Sequence, residues 1–144
     1  QRRKVAMENV LADFYRRGEQ TGKWRDPMPA AELADWRGLR FPPLERTMRD
    51  LCRRGWAESA DDGWRLTQPG INEAARVMRN HRLWELYLAR RLDLPPDHVH
   101  RDAEEMEHVL PPEVVAEIER NLGHPRVDPH GHPIPKLAVP EGSD

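Results

Sequence analysis

Trp56-Ala57-Glu58-Ser59-Ala60-Asp61-Asp62-Gly63-Trp64-Arg65-Leu66-Thr67 decides how the first half of the chain is read. Trp56 to Ser59 and Trp64 to Thr67 alternate apolar and polar residues, and the turn residues Asp61-Asp62-Gly63 between them predict a β-hairpin. Working upstream, Pro42 and Pro43 open a helix over Leu44 to Arg54 that buries Leu44, Met48 and Leu51 and stops at Gly55. Pro29 to Trp36 predicts a short helix ending at Gly38, preceded by a polar loop over residues 19–28. Residues 2–17 predict a first helix, with Val5, Val10, Leu11, Phe14 and Tyr15 near one stripe and Gly18 as its stop. Three helices followed by a hairpin is the order of a winged helix-turn-helix, whose third helix enters the DNA major groove. Arg46, Arg49 and Arg53 follow one face of that helix, spaced to meet phosphate or guanine, while Glu45 and Asp50 oppose a polyanion there. Trp24, Trp36, Trp56 and Trp64 read as packing and wing residues rather than base-stacking platforms.

Downstream, Pro69 opens the longest helix, reaching about Leu92, with Val77, His81, Trp84 and Leu88 on one side. Leu94-Pro95-Pro96-Asp97 breaks it, and Asp97 is placed to cap the next segment, His98-Val99-His100-Arg101-Asp102-Ala103-Glu104-Glu105-Met106-Glu107-His108. At 3.6 residues per turn His100, Glu104, Glu107 and His108 share one face, and His81 and Glu85 stand one turn apart on the preceding helix. Two such helices facing each other would close a metal cage of imidazole and carboxylate. Pro111-Pro112 ends the ligand helix, and Glu113 to Leu122 forms a last amphipathic one. His124 to Asp144 is Pro- and Gly-rich without helical period, an irregular tail in which His124, His130 and His132 could bind a metal adventitiously but read rather as turn residues. The expectation is a mainly α protein: a winged helix-turn-helix over residues 1–68 and an all-helical metal-binding and dimerisation domain over residues 69–144.

Composition narrows the function classes. With 23 Lys and Arg against 25 Asp and Glu in 144 residues, net charge points to no acidic partner, so any nucleic-acid argument rests on where the arginines sit. The single Cys52 excludes a disulfide framework and a thiolate zinc site and suits a reducing compartment. No apolar run approaches a membrane span and no signal peptide is visible, which predicts a cytoplasmic location. The chain starts at Gln1 rather than Met, so the expectation includes a piece of something longer. Nitrogen and oxygen donors suit Mn(II) or Fe(II), with Zn(II) or Co(II) able to occupy the same site in vitro. There is no His-Glu-x-x-His motif, nucleophile elbow or phosphate loop, and no small-molecule substrate or enzyme activity is expected.

The runs Arg79-Asn80-His81-Arg82-Leu83-Trp84-Glu85, His100 to Leu110 and Asp128-Pro129-His130-Gly131-His132-Pro133-Ile134-Pro135 resemble the metal-binding and dimerisation domain of the diphtheria-toxin-repressor and manganese-transport-regulator family. The resemblance implies a homodimer that binds Mn(II) or Fe(II) and then represses metal-uptake genes on double-stranded DNA. By position, Glu104, Glu107, His108 and His81 resemble the manganese-regulator site, and His81, Glu85 and His100 the ancillary site of the iron-dependent branch. A further family ligand on the first helix falls at Asn9, and a second such position falls on Ala12, which cannot coordinate. Arg79 to Leu88 is also similar to a version of the domain fused to the cytoplasmic end of a metal ABC-transporter permease, the alternative expectation.

Overall fold

A computed structural model describes residues 2–37, 41–91 and 111–136. The elements run α1 (Arg2–Thr21), β1 (Met28–Pro29), α2 (Ala30–Arg37), α3 (Phe41–Arg53), β2 (Ala57–Ala60), β3 (Gly63–Leu66), α4 (Gln68–Arg91) and α5 (Pro112–Asn121). They divide into two compact units, Gln1–Ala75 and Arg76–Asp144, with α4 contributing to both. Among the described residues no helix is long and apolar enough to cross a membrane.

In the first unit α1 packs on α2 and α3. Leu44, Met48 and Leu51, spaced to fall on one face of α3, are wholly buried, as are Leu11 of α1, Leu33 of α2 and Met28 of β1. Each such side chain contributes about 1.5–3 kcal/mol of burial, so α3 is fixed by its apolar stripe and its other face is left to solvent. The helix ends at Gly55, whose φ of 76° suits the left-handed cap.

Three details depart from the expectations. The first helix passes through Gly18 and stops at Gly22, which has a φ of 73°. A side chain at Gly18 would collide with the Trp24 ring, which also meets Tyr15 edge-on at 4.9 Å, so this glycine serves close packing rather than termination. Buried Arg17 holds the returning loop by donating to the carbonyl oxygens of Asp26 and of Pro27, the latter at 3.0 Å. The wing turn is Asp61-Asp62 alone, with Asp61 at φ 52°, and Gly63 belongs to β3. Finally, the sheet has three strands, ordered β1-β3-β2 and antiparallel, because Met28 and Pro29 pair with Trp64 and Gly63. A Cβ at Gly63 would strike the Met28 carbonyl, so glycine there lets the third strand close in.

Thr67 joins wing to long helix: its hydroxyl oxygen accepts from the Gly70 amide at 3.1 Å, a side-chain N-cap, while the same hydroxyl donates to the Gly55 carbonyl at 2.5 Å. In the second unit Leu83 and Leu86 of α4 form one core with Val115 and Ile118 of α5, Leu122 and Ile134. Arg79 on α4 pairs with Glu119 on α5 across that core's edge.

Candidate metal centre

The second unit places its polar residues where a helical surface would ordinarily bury apolar ones. His81, Arg82 and Glu85 on α4 are 3%, 3% and 1% exposed. Burying such groups costs several kcal/mol unless each meets an opposite charge or a hydrogen-bond partner. They meet one another and the segment after α5.

That segment folds back on itself. Val127 bridges to Pro133, the Asp128 amide donates to the His132 carbonyl at 2.9 Å, and the Ile134 amide donates to the Arg126 carbonyl at 2.7 Å. The Asp128 carboxylate caps the turn from inside, accepting from the amides of His130 at 2.9 Å and His132 at 2.8 Å, an arrangement suited to Asp followed by Pro and Gly. Arg82 clamps the loop onto α4, donating to the Pro133 carbonyl at 2.6 Å with its Nε 4.0 Å from the Asp128 carboxylate.

The clamp brings the loop's donors to Glu85. One Glu85 oxygen lies 2.5 Å from His81 Nε2, and the other lies 3.3 Å from His130 Nδ1. Glu85, Asp128 and His130 each offer one donor atom within 4.8 Å of the others, Glu85 and Asp128 buried and the His130 side chain 31% exposed. Three ligands held about 2.0–2.2 Å from one divalent transition metal and equally spaced lie about 3.8 Å apart at most, so one ion would draw these donors inward by up to about 1 Å. Two carboxylates and an imidazole make a hard, nitrogen-and-oxygen donor set suited to Mn(II), Fe(II) or Zn(II). His132 stands beside it, its Nδ1 3.4 Å from Asp128 and its side chain 63% exposed.

Of the expected ligands, His81 and Glu85 are therefore adjacent and buried, while His100, Glu104, Glu107 and His108, with the Asp97 cap, lie outside the described residues. His130 lies in the turn, as expected, and its ring also reaches the Glu85 carboxylate. Asp128 was missed altogether. The signal was present in Asp128-x-His130-x-His132, since a tight turn brings alternate donors to one side, but no period in the sequence ties that loop to α4.

In the first unit, Arg46 and Arg49 are exposed on α3, as is Glu45. Arg53 is 71% exposed and lies 3.8 Å from Asp50. Cys52, partly buried in the same helix, has its thiol pKa raised, first by burial and then by the Glu58 carboxylate, so it is held as the thiol.

A winged helix-turn-helix unit followed by a helical unit holding a buried imidazole–carboxylate cluster defines a class of metal-responsive regulators. Residues 67–136 match the iron dependent repressor metal binding and dimerisation domain. The chain is 36% identical over 108 residues to the iron-dependent repressor IdeR of Mycobacterium bovis, covering 74% of this chain and 46% of that protein. It is 44% identical over 132 residues to a probable metal transport system membrane protein of Chlamydia trachomatis serovar D, covering 90% of this chain and 29% of that one. Both alignments span less than half of the curated relative. Among solved structures, the manganese regulator SloR superposes with a TM-score of 0.78 at 26% identity, over 93% of this chain and 61% of that one. A manganese-dependent transcriptional repressor in complex with manganese superposes with a TM-score of 0.73 at 29% identity, over 91% and 63%. The chain belongs to the diphtheria-toxin-repressor family, matching its metal binding and dimerisation domain over residues 67–136.

Proposed function

We propose that the chain is the DNA-binding and metal-sensing part of a homodimeric transcriptional repressor, which occupies operators of metal-uptake genes when Mn(II) or Fe(II) is bound. The observation that carries this reading is Glu85, 1% exposed, with one carboxylate oxygen facing His81 and the other facing His130. A buried carboxylate facing two imidazoles supplies oxygen and nitrogen donors at one point, the donor set a divalent cation takes.

In this reading His81, Glu85, Asp128 and His130 hold metal, and His100, Glu104, Glu107 and His108 supply further ligands. The ion supplies positive charge among carboxylates that otherwise repel. The chain's own part is to bring α4 and the loop together through Arg82, so that metal affinity is drawn from folding of the second unit. Metal then favours one arrangement of the units over others, as any ligand with unequal affinity for two states must. Arg46, Arg49 and Arg53 meet DNA, and α4 and α5 supply the dimer face. The core shared by these two helices already uses Leu83, Leu86, Val115 and Ile118, leaving residues such as Val114, 36% exposed, for a partner.

A second reading, a metal-sensing regulatory domain of a metal ABC-transporter permease, is favoured by one observation: the 44% identity to the Chlamydia transport-system protein over 90% of this chain.

Titrating Mn(II) into wild type and Glu85→Gln separates the readings. The thermal midpoint is expected to rise with Mn(II) in wild type and not in Glu85→Gln. A labelled duplex from upstream of the protein's own reading frame is expected to bind with Mn(II) and be released by chelator, with Arg46→Gln and Arg49→Gln each weakening it. A midpoint indifferent to Mn(II) sinks both readings; metal binding without DNA binding selects the second.

A further inference from the structure

We propose that the groove between the start of α1 and the end of α3 is a second DNA contact, taking the phosphodiester backbone that flanks the stretch met by Arg46 and Arg49. The inference rests on the DNA-binding reading above.

Arg3, Lys4 and Met7 of α1 face Asp50, Arg53 and Arg54 across an open groove of about 370 Å³. Four cations surround one carboxylate, and that carboxylate, 14% exposed, is 3.8 Å from Arg53. Buried Met7 gives the groove an apolar patch, and Arg3, Lys4, Arg53 and Arg54 are all exposed at its rim. The Arg54 guanidinium lies over the Trp56 ring, 5.3 Å from its centroid, which narrows its orientations without using its hydrogen-bond donors.

The occupant follows from continuity. Arg53 belongs both to this groove and to the arginine stripe of α3, so the cations run on from Arg46 and Arg49 through Arg53 and Arg54 to Arg3 and Lys4. From residue 46 to residue 53 the helix rises about 10 Å. A small anion would engage one or two of these side chains, whereas duplex DNA carries a negative charge for about every 1.7 Å of its axis and matches an extended array.

The test uses the whole chain, with Mn(II) and with chelator, and a random-sequence duplex of about 30 base pairs, because phosphate contacts are indifferent to sequence. Binding is measured across a salt series for wild type, Arg3→Gln, Lys4→Gln and Lys23→Gln. Lys23 is exposed in the same unit and outside the groove, so it controls for net charge. Each groove variant is expected to lower the slope of log affinity against log salt by about 0.9, roughly an eightfold loss at about 0.1 M salt, with Lys23→Gln near wild type. All three positions are surface sites, and matching thermal midpoints establish that the variants fold. If wild type binds the duplex and Arg3→Gln and Lys4→Gln keep its slope, this proposal falls and the repressor reading stands. If wild type binds no duplex in either condition, both fall. Loss equal in Lys23→Gln overturns the groove in favour of diffuse charge. Capture of wild type by phosphatidylglycerol vesicles, abolished in Arg3→Gln with duplex affinity unchanged, overturns DNA as the occupant.

Discussion

Helices α3 and α4 both carry arginines at helical spacing and treat them in opposite ways. On α3, Arg46, Arg49 and Arg53 stand in solvent while Leu44, Met48 and Leu51 do the packing. On α4, Arg79 and Arg82 are 6% and 3% exposed, one paired with Glu119 and the other clamped to the loop at Pro133 and Asp128. An exposed arginine costs the fold little and keeps its donors for a polyanion. A buried one is committed to its intramolecular partners, which for Arg82 lie in the loop that carries Asp128 and His130. The lesson is that arginine content says nothing of a binding face until the apolar stripe of the same helix has been assigned.

The largest effect is expected from Arg82→Ala. It removes the Arg82 charge beside the buried Asp128 carboxylate and the Arg82 donor to the Pro133 carbonyl, a loss of about 1–3 kcal/mol for the hydrogen bond from a charged group. Chemical denaturation should show that loss, with a decrease in Mn(II) affinity because the loop no longer presents His130. An Arg82→Ala protein as stable as wild type would mean that the clamp is ornamental and that the buried arginines of α4 contribute no more to the fold than the exposed ones of α3. The next effect is smaller: His130→Ala should weaken Mn(II) at least about tenfold, or 1.4 kcal/mol of linked stabilisation, by isothermal titration calorimetry. His132→Ala, more exposed and bonded to Asp128 rather than Glu85, should do less. Equal effects would move the site outward along the loop.

The same contrast explains what was legible in the sequence. The α3 stripe, the wing and the long helix each follow from a local period or a turn signal, and the chain order of the winged helix followed from them. Gly18 misled because a glycine read along the chain is a stop, and only the Trp24 ring lying against it in three dimensions makes it a packing position. The strand at Met28 and Pro29 is too short to show a period, and it forms because Gly63 leaves room for it. At the candidate metal centre, the placement of His81 and Glu85 one helical turn apart on one helix was legible. Asp128 and His130 lie more than forty residues away in sequence, and reach Glu85 through an Arg82 clamp that no pattern announces.

The smallest predicted effect lies on the wing, where charges are again solvent-exposed. The Glu58 carboxylate accepts from Arg65 Nε at 2.8 Å and faces Arg25 at 3.4 Å, and its pKa is lowered: the Arg65 hydrogen bond is the largest cause, burial opposes it, and the charges of Arg65 and then Arg25 carry the balance downward. A group whose folded pKa lies below its unfolded value stabilises the fold above the unfolded value, near 4.5, and loses that contribution as pH falls through the folded one. The difference in thermal midpoint between wild type and Glu58→Gln should therefore be small and constant near neutral pH and should close in acid, below about pH 4.5. Because both bridging arginines are half in water, added salt should shrink the difference as well. A Glu58→Gln difference that widens in acid would show that this carboxylate is held by something other than the two arginines. A difference rivalling that of Arg82→Ala would erase the distinction between exposed and buried charge on which the two helices were compared.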